Sequence, residues 1–151
     1  MKQKEKKLLL KDLSSRLPYG VIVRHADYLV DSDGNYTGQF WYKRGYLYNI
    51  CRLDNMTTTI IESEGSDEEG YEHICDLERS LPYLRSMNSM TEEEMEELLN
   101  IDKKRGLFSS RHLTWHIDGE IIDWLNKKMF DWRGLIPMGL ALEAPEGMYL
   151  Y

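Results

Sequence analysis

The run Phe40-Trp41-Tyr42-Lys43-Arg44-Gly45-Tyr46-Leu47-Tyr48 gathers the residue types best suited to recognition in this chain. On an extended strand Phe40 and Tyr42 face one way and Trp41 and Lys43 the other, so one face can be core and the other a wet aromatic surface. Rings beside Lys and Arg can stack a base or grip a nucleotide phosphate. Trp41, Tyr42, Lys43, Arg44 and Tyr46 are therefore candidate ligand- or partner-binding residues, although the same pattern also serves cross-strand packing in a small barrel. Glu93 and Glu97 lie four apart on a helix and offer acid to a basic partner surface. They do not read as a general acid/base pair, which needs environments that separate the two pKa values. Arg133, like Arg85 and Trp132, is an isolated handle that can anchor a loop or a partner.

Chemistry by recognised motif is not indicated. There is no Gly-x-Ser-x-Gly, no Cys-x-x-Cys, no His-Glu-x-x-His and no Gly-rich phosphate cradle. His112 and His116 are four apart with Asp118 nearby. The residues between them favour a strand, on which the imidazoles stand about 13 Å apart, too far to share one metal. No catalytic residue, metal or cofactor is expected from these patterns.

Several elements must position those side chains. Leu9, Leu10, Leu13 and Leu17 follow one helical stripe over 4–17, ended by Pro18, and this amphipathic helix is expected to dock on its own domain. From Tyr19 to Leu77 the period becomes that of strands: Gly20 to His25, Tyr28 to Asp31, Gln39 to Lys43, Tyr46 to Leu53, Thr57 to Ser63 and Tyr71 to Leu77. Asp31-Ser32-Asp33-Gly34-Asn35 is a hairpin turn, Arg44-Gly45 reads as a break, and 62–70 reads as an acidic loop tip rather than a calcium loop. Met90-Thr91-Glu92-Glu93-Glu94-Met95 is a helix-start device: Thr91 and Glu94 have capping-box spacing, with Met90 and Met95 as the staple. That helix is expected to run to about Ile101, with Met95, Leu98 and Leu99 on one face and Gly106 as its stop. An extended piece at His112 to Ile117 and a last helix from Glu120 to Phe130 follow, and then a Gly/Pro-punctuated tail. The expected fold is α+β: N-terminal helix 1–18, a small curved antiparallel sheet or SH3/OB-like barrel within 19–78, and a helical part with an extended tail over 79–151, in one domain.

Charge narrows the function classes. The chain has 151 residues and a formal net charge of −7, unevenly placed. Residues 1–16 carry six Lys/Arg against two acids, whereas 62–102 carry fourteen acids against two arginines. Such a middle disfavours generic nucleic-acid binding and suits a basic partner. No apolar run spans a membrane. Cys51 and Cys75 are expected as buried free thiols in a reducing cytoplasm.

Three blocks carry a resemblance: Leu13 to Gly20, Pro82 to Glu94, and Ile122 to Tyr149, the last including Asp123-Trp124-Leu125-Asn126 and Phe130-Asp131-Trp132-Arg133-Gly134-Leu135-Ile136. Over roughly a third of its length the chain resembles an uncharacterised family common in gut Bacteroidales and in their phages and mobile elements. The family implies no assigned activity and hence no catalytic residue. It does imply a cytoplasmic, phage- or mobile-element-related setting, where small acidic proteins often inhibit or modify host machinery. The leading expectation is a non-enzymatic protein binder, for example a host-machinery inhibitor or counter-defence factor. The alternative is a nucleotide or nucleic-acid binding module using residues 40–48, and an enzyme of unknown class comes third.

Overall fold

A computed structural model describes residues 1–53, 56–63, 72–104 and 119–149 of the chain. Helix α1 (Gln3–Arg16) starts where the Glu5 carboxylate accepts the Lys2 N–H. It ends in a 3₁₀ turn, Leu17–Tyr19, closed by Gly20 at a φ of 68°, which glycine adopts without the strain of a Cβ. Its buried face is Leu9, Asp12, Leu13 and Arg16. The spacing of the expected stripe is right, but two of its four places hold a buried ion pair rather than leucines. Leu10 and Leu17 pack half-buried at the margin.

The sheet has the order β4-β3-β2-β1-β5-β6 and is open and curled. Strands β1 (Ile22–Val30) and β2 (Tyr36–Leu53) form one long antiparallel ribbon, tied by the Asp31–Asn35 turn. In that turn the Asp31 carboxylate accepts the amides of Asp33 and Asn35, and Gly34 has a φ of 83°. Both strands were expected in two pieces, and both are continuous. The apparent break at Gly45 is a close approach: a Cβ there would stand 2.4 Å from the Glu62 carbonyl oxygen and 2.5 Å from Ile61 Cγ2. Near the turn β2 places three residues between Tyr36 and Phe40 where β1 places one between Val30 and Tyr28. Gly38, at a φ of 77°, lies inside this bulge.

Strand β3 (Met56–Ser63) pairs with β2, with Tyr48 bulged between Leu47 and Asn49, and β4 (Glu72–Asp76) pairs with β3. The sheet curls enough for the Cys75 thiol to reach the Ala26 carbonyl of β1. Burial pushes that thiol's pKa up. Both cysteines are free, as expected, but Cys51 is only half-buried. Leu81-Pro82-Tyr83 belongs to β5 (Leu81–Leu84), which pairs antiparallel with β1 and parallel with β6 (Leu142–Glu143) from the tail. The tail therefore makes an otherwise antiparallel sheet mixed.

Helix α2 (Glu92–Lys104) carries the expected reciprocal cap: the Glu94 amide donates to Thr91 Oγ1 at 3.2 Å, and the Thr91 amide donates to Glu94 Oε2 at 3.1 Å. Its inner face is Glu94 and Leu98, both buried, with Ile101 half-buried, rather than a Met95 stripe, because Met95 is exposed while Met90 packs inward. The expected loop tip at 64–71, the helix stop at Gly106 and the extended piece over His112 to Ile117 lie outside the described residues.

Helix α3 (Gly119–Lys127) stops before the expected Phe130. The Phe130 amide donates to the Leu125 carbonyl and the Met129 amide to that of Asn126, with Met129 at a φ of 58°. This is a Schellman end with methionine where glycine is usual. Full burial of the Met129 side chain against Leu9, Leu13 and Val23 offsets the unfavourable backbone. That core cluster, spanning α1 and the inner face of the sheet, is joined by two smaller ones under the tail and between α2 and α3.

Candidate binding site

The β1–β2 ribbon outruns the core. Residues 31–44 are all exposed, so over Phe40 to Arg44 neither face of β2 is core, contrary to the expected division. The core-facing positions begin at Gly45 and Leu47. Tyr36, Phe40, Trp41, Tyr42, Tyr46 and Tyr48 are 43–76% exposed on this single strand. So many large apolar side chains exposed on one element of a monomer are uncommon unless something covers them.

Alternation sorts the five candidates on β2. Tyr42, Arg44 and Tyr46 share the outer face with Ile22, Arg24 and Ala26 of β1, whereas Trp41 and Lys43 lie on the opposite face. On the outer face Arg24 sits directly across from Arg44. Like charges opposite one another weaken a ribbon by a few tenths of a kcal/mol to about 1. The Arg24 guanidinium lies 4.2 Å over the Tyr42 ring, and its Nε is shielded from solvent with no hydrogen-bond partner among the described residues. A shielded, unsatisfied donor costs about 1–3 kcal/mol, so this position asks for a reason.

A pocket lies beside it. Arg24, Ala26, Phe40 and Tyr42 form one side of a pocket of about 260 Å³, and Glu78, Arg79 and Leu81 form the other. Phe40 and Tyr42 meet edge to face, centroids 5.4 Å apart, and the Arg79 guanidinium lies 5.9 Å over Phe40. Glu78 accepts a hydrogen bond from Lys6 of α1, which holds its carboxyl below the usual range. In this way the positive first helix is brought to the pocket rim.

The other expected site residues are placed elsewhere. Arg133 donates to Asp12 Oδ1 at 2.6 Å and to Ser15, and its guanidinium stacks 4.0 Å over Trp132, so it is an internal clamp between the tail and α1. Glu97 accepts the Trp124 indole N–H at 3.1 Å and pairs with Lys128, tying α2 to α3. Glu93 is exposed, its carboxyl held low by its own amide and the Thr91 hydroxyl. The structure brings none of these three to the ribbon. Sequence reasoning missed Arg24, Ala26, Phe40, Glu78 and Arg79 as partners in one pocket. The alternation Val21-x-Val23-x-His25, which puts Arg24 and Ala26 on the outer face, was the one available signal for two of them.

Among the described residues, no group of three or more His, Cys, Asp or Glu side chains is arranged to hold a metal. No described helix is long and apolar enough to cross a membrane. No family model matches the chain, and no curated protein or solved structure matches it either.

Proposed function

We propose that this chain is a non-enzymatic binding protein that docks on a protein partner through the exposed aromatic side chains on both faces of its β1–β2 ribbon. The observation that carries this reading is the exposure of six aromatic side chains between Tyr36 and Tyr48 on one projecting strand. Tyr, Trp and Arg are the residues that protein interfaces concentrate at their centres. A phosphate-tracking groove would need an unbroken basic lining, whereas here Glu62 lies opposite Tyr46 and Glu72 opposite Glu62. The partner surface that fits is apolar at its centre, with an acidic group facing Arg44.

The acidic helix takes a lesser part, because Glu94 and Glu97 are spent internally. The family resemblance supplies the setting within the proposal: cytoplasmic, phage- or mobile-element-related, with host machinery as the partner to be inhibited or evaded.

The test is co-purification from host lysate at physiological salt, with hydrogen exchange on the isolated complex. The wild type should retain one stoichiometric protein and gain protection over 36–48. Trp41→Ser with Tyr46→Ser should lose it without a change in melting temperature, and Glu93→Lys should keep it. A partner that survives the double substitution, or no stoichiometric partner at all, overturns the reading.

A further inference from the structure

The pocket beneath Arg24 and Arg79 has a shape and a charge that protein docking does not use. We propose that it binds a small ligand consisting of one planar ring and one anionic group, the ring against Phe40 and Tyr42 and the anion between the guanidiniums of Arg24 and Arg79.

Size sets the first limit. At about 260 Å³ the pocket falls just under the range of about 300–1,000 Å³ usual for ligand sites, which admits a single ring with its substituent and excludes a dinucleotide. The two rings supply the walls: at an interplanar angle of 78° they make an apolar corner, and a planar guest presents its face to one ring and its edge to the other. Ala26 is a small, buried lining residue, and a longer side chain there would take up pocket space.

Charge sets the second limit. Each guanidinium lies over a ring face, Arg24 over Tyr42 and Arg79 over Phe40, and is therefore oriented before a ligand arrives. The Arg24 Nε–H is a shielded donor with no acceptor among the described residues, and an anion in the pocket provides one. The anion also relieves the repulsion between Arg24 and Arg44 across the strands. Glu78, the one acid among the described residues lining the pocket, is engaged by Lys6 at the rim, and Asp76, outside the lining, stands 3.9 Å from Arg79 Nε. Two arginines facing one anion from different elements favour a group with several acceptor oxygens, a phosphate or a carboxylate.

Two sources carry this chemistry, a nucleoside monophosphate and a free aromatic carboxylate, and one titration separates them. Calorimetry on the full chain would use UMP, CMP and 4-hydroxybenzoate, with uridine and inorganic phosphate as half-ligands. At least one ring-plus-anion compound should bind with a Kd below about 1 mM, and each half-ligand about tenfold more weakly or worse. Which compound binds best names the source. Arg79→Gln and Phe40→Ala alter exposed side chains and should each weaken binding about tenfold or more while leaving the ligand-free melting temperature unchanged. Ala26→Leu, which takes up pocket space, should abolish binding, and its melting temperature reports whether the fold survives. The proposal is overturned if no ring-plus-anion compound binds, if phosphate alone binds as well as the nucleotide, or if Arg79→Gln and Phe40→Ala bind like the wild type. Because Trp41 and Tyr46 do not line the pocket, loss of a protein partner in their double substitution leaves this test untouched.

Discussion

Replacing Asp12 with Asn removes one charge from the interior at almost constant volume, and the structure says what should follow. Asp12 and Arg16 are fully buried on α1. Asp12 Oδ2 accepts Arg16 Nε at 2.8 Å, and Oδ1 accepts both Arg16 Nη2 at 3.1 Å and Arg133 Nη1 at 2.6 Å. Arg16 Nη2 also donates to the Phe130 carbonyl at 2.8 Å, which carries the clamp from the first helix to the end of the last. One carboxylate thus balances two guanidiniums that cannot reach water easily. In Asp12→Asn the amide keeps one acceptor and turns N–H groups toward an arginine, so two buried cations face no anion.

Breaking a buried pair in this way costs about 3–5 kcal/mol, a large share of the roughly 5–15 kcal/mol that stabilises an ordinary domain. At about 2–4 °C per kcal/mol for a chain of this size, the melting temperature should fall by about 6–20 °C. Thermal melts by circular dichroism at neutral pH measure it. Urea melts should give a lower midpoint at an unchanged slope. A double-mutant cycle with Arg133→Leu should show a coupling of about 1–3 kcal/mol. A fall of less than about 2 °C would refute the reasoning and return Arg133 to the set of residues available for a partner.

Two further outcomes follow from the same accounting. Gly45→Ala places a methyl group against the β3 backbone, so it should destabilise by about 1–3 kcal/mol, opposite in sign to the usual gain from removing a glycine; an equal or higher urea midpoint would contradict it. Glu94 accepts both arms of the Arg85 guanidinium, at 2.6 and 2.8 Å, and this hydrogen bonding first of all holds its carboxyl below the usual range. A carboxyl depressed on folding contributes stability that is present above the unfolded value of about 4.3 and is lost as pH falls through the lower folded value. Glu94→Gln should therefore cost about 1.5–3 kcal/mol at pH 7 and progressively less in acid, and parallel melting curves for the two proteins from pH 7 to pH 3 would count against that assignment.

What was legible in the sequence was whatever is written locally. The Thr91–Glu94 cap, the Asp31–Asn35 turn and the stop at Pro18 rest on side chains within a few residues of one another, and all three are found. What was missed depends on distant residues. Gly45 looks like a break until β3 is seen pressed against it. Arg133 looks like a handle until α1, more than a hundred positions earlier, supplies Asp12. The stripe of α1 could be counted, but not that two of its places would be charged, because only the tail makes a buried Asp12–Arg16 pair tolerable.

The pocket shows the same boundary in a sharper form. Counting back from the 31–35 turn with no bulge, as Val30 pairs with Tyr36, sets Arg24 opposite Tyr42. Two extra residues in β2 shift that register by two, so the partner becomes Arg44. A shift of two preserves the face, so a reading by alternation puts Arg24 beside the right aromatics. It cannot see that two arginines are set against each other, nor that the turn after β4 brings Arg79 over Phe40. Both facts come from the curl of the sheet and one bulge at Gly38. The residues that make this corner suited to an anion thus come from three separate stretches of chain, in a protein whose overall charge of −7 points the other way.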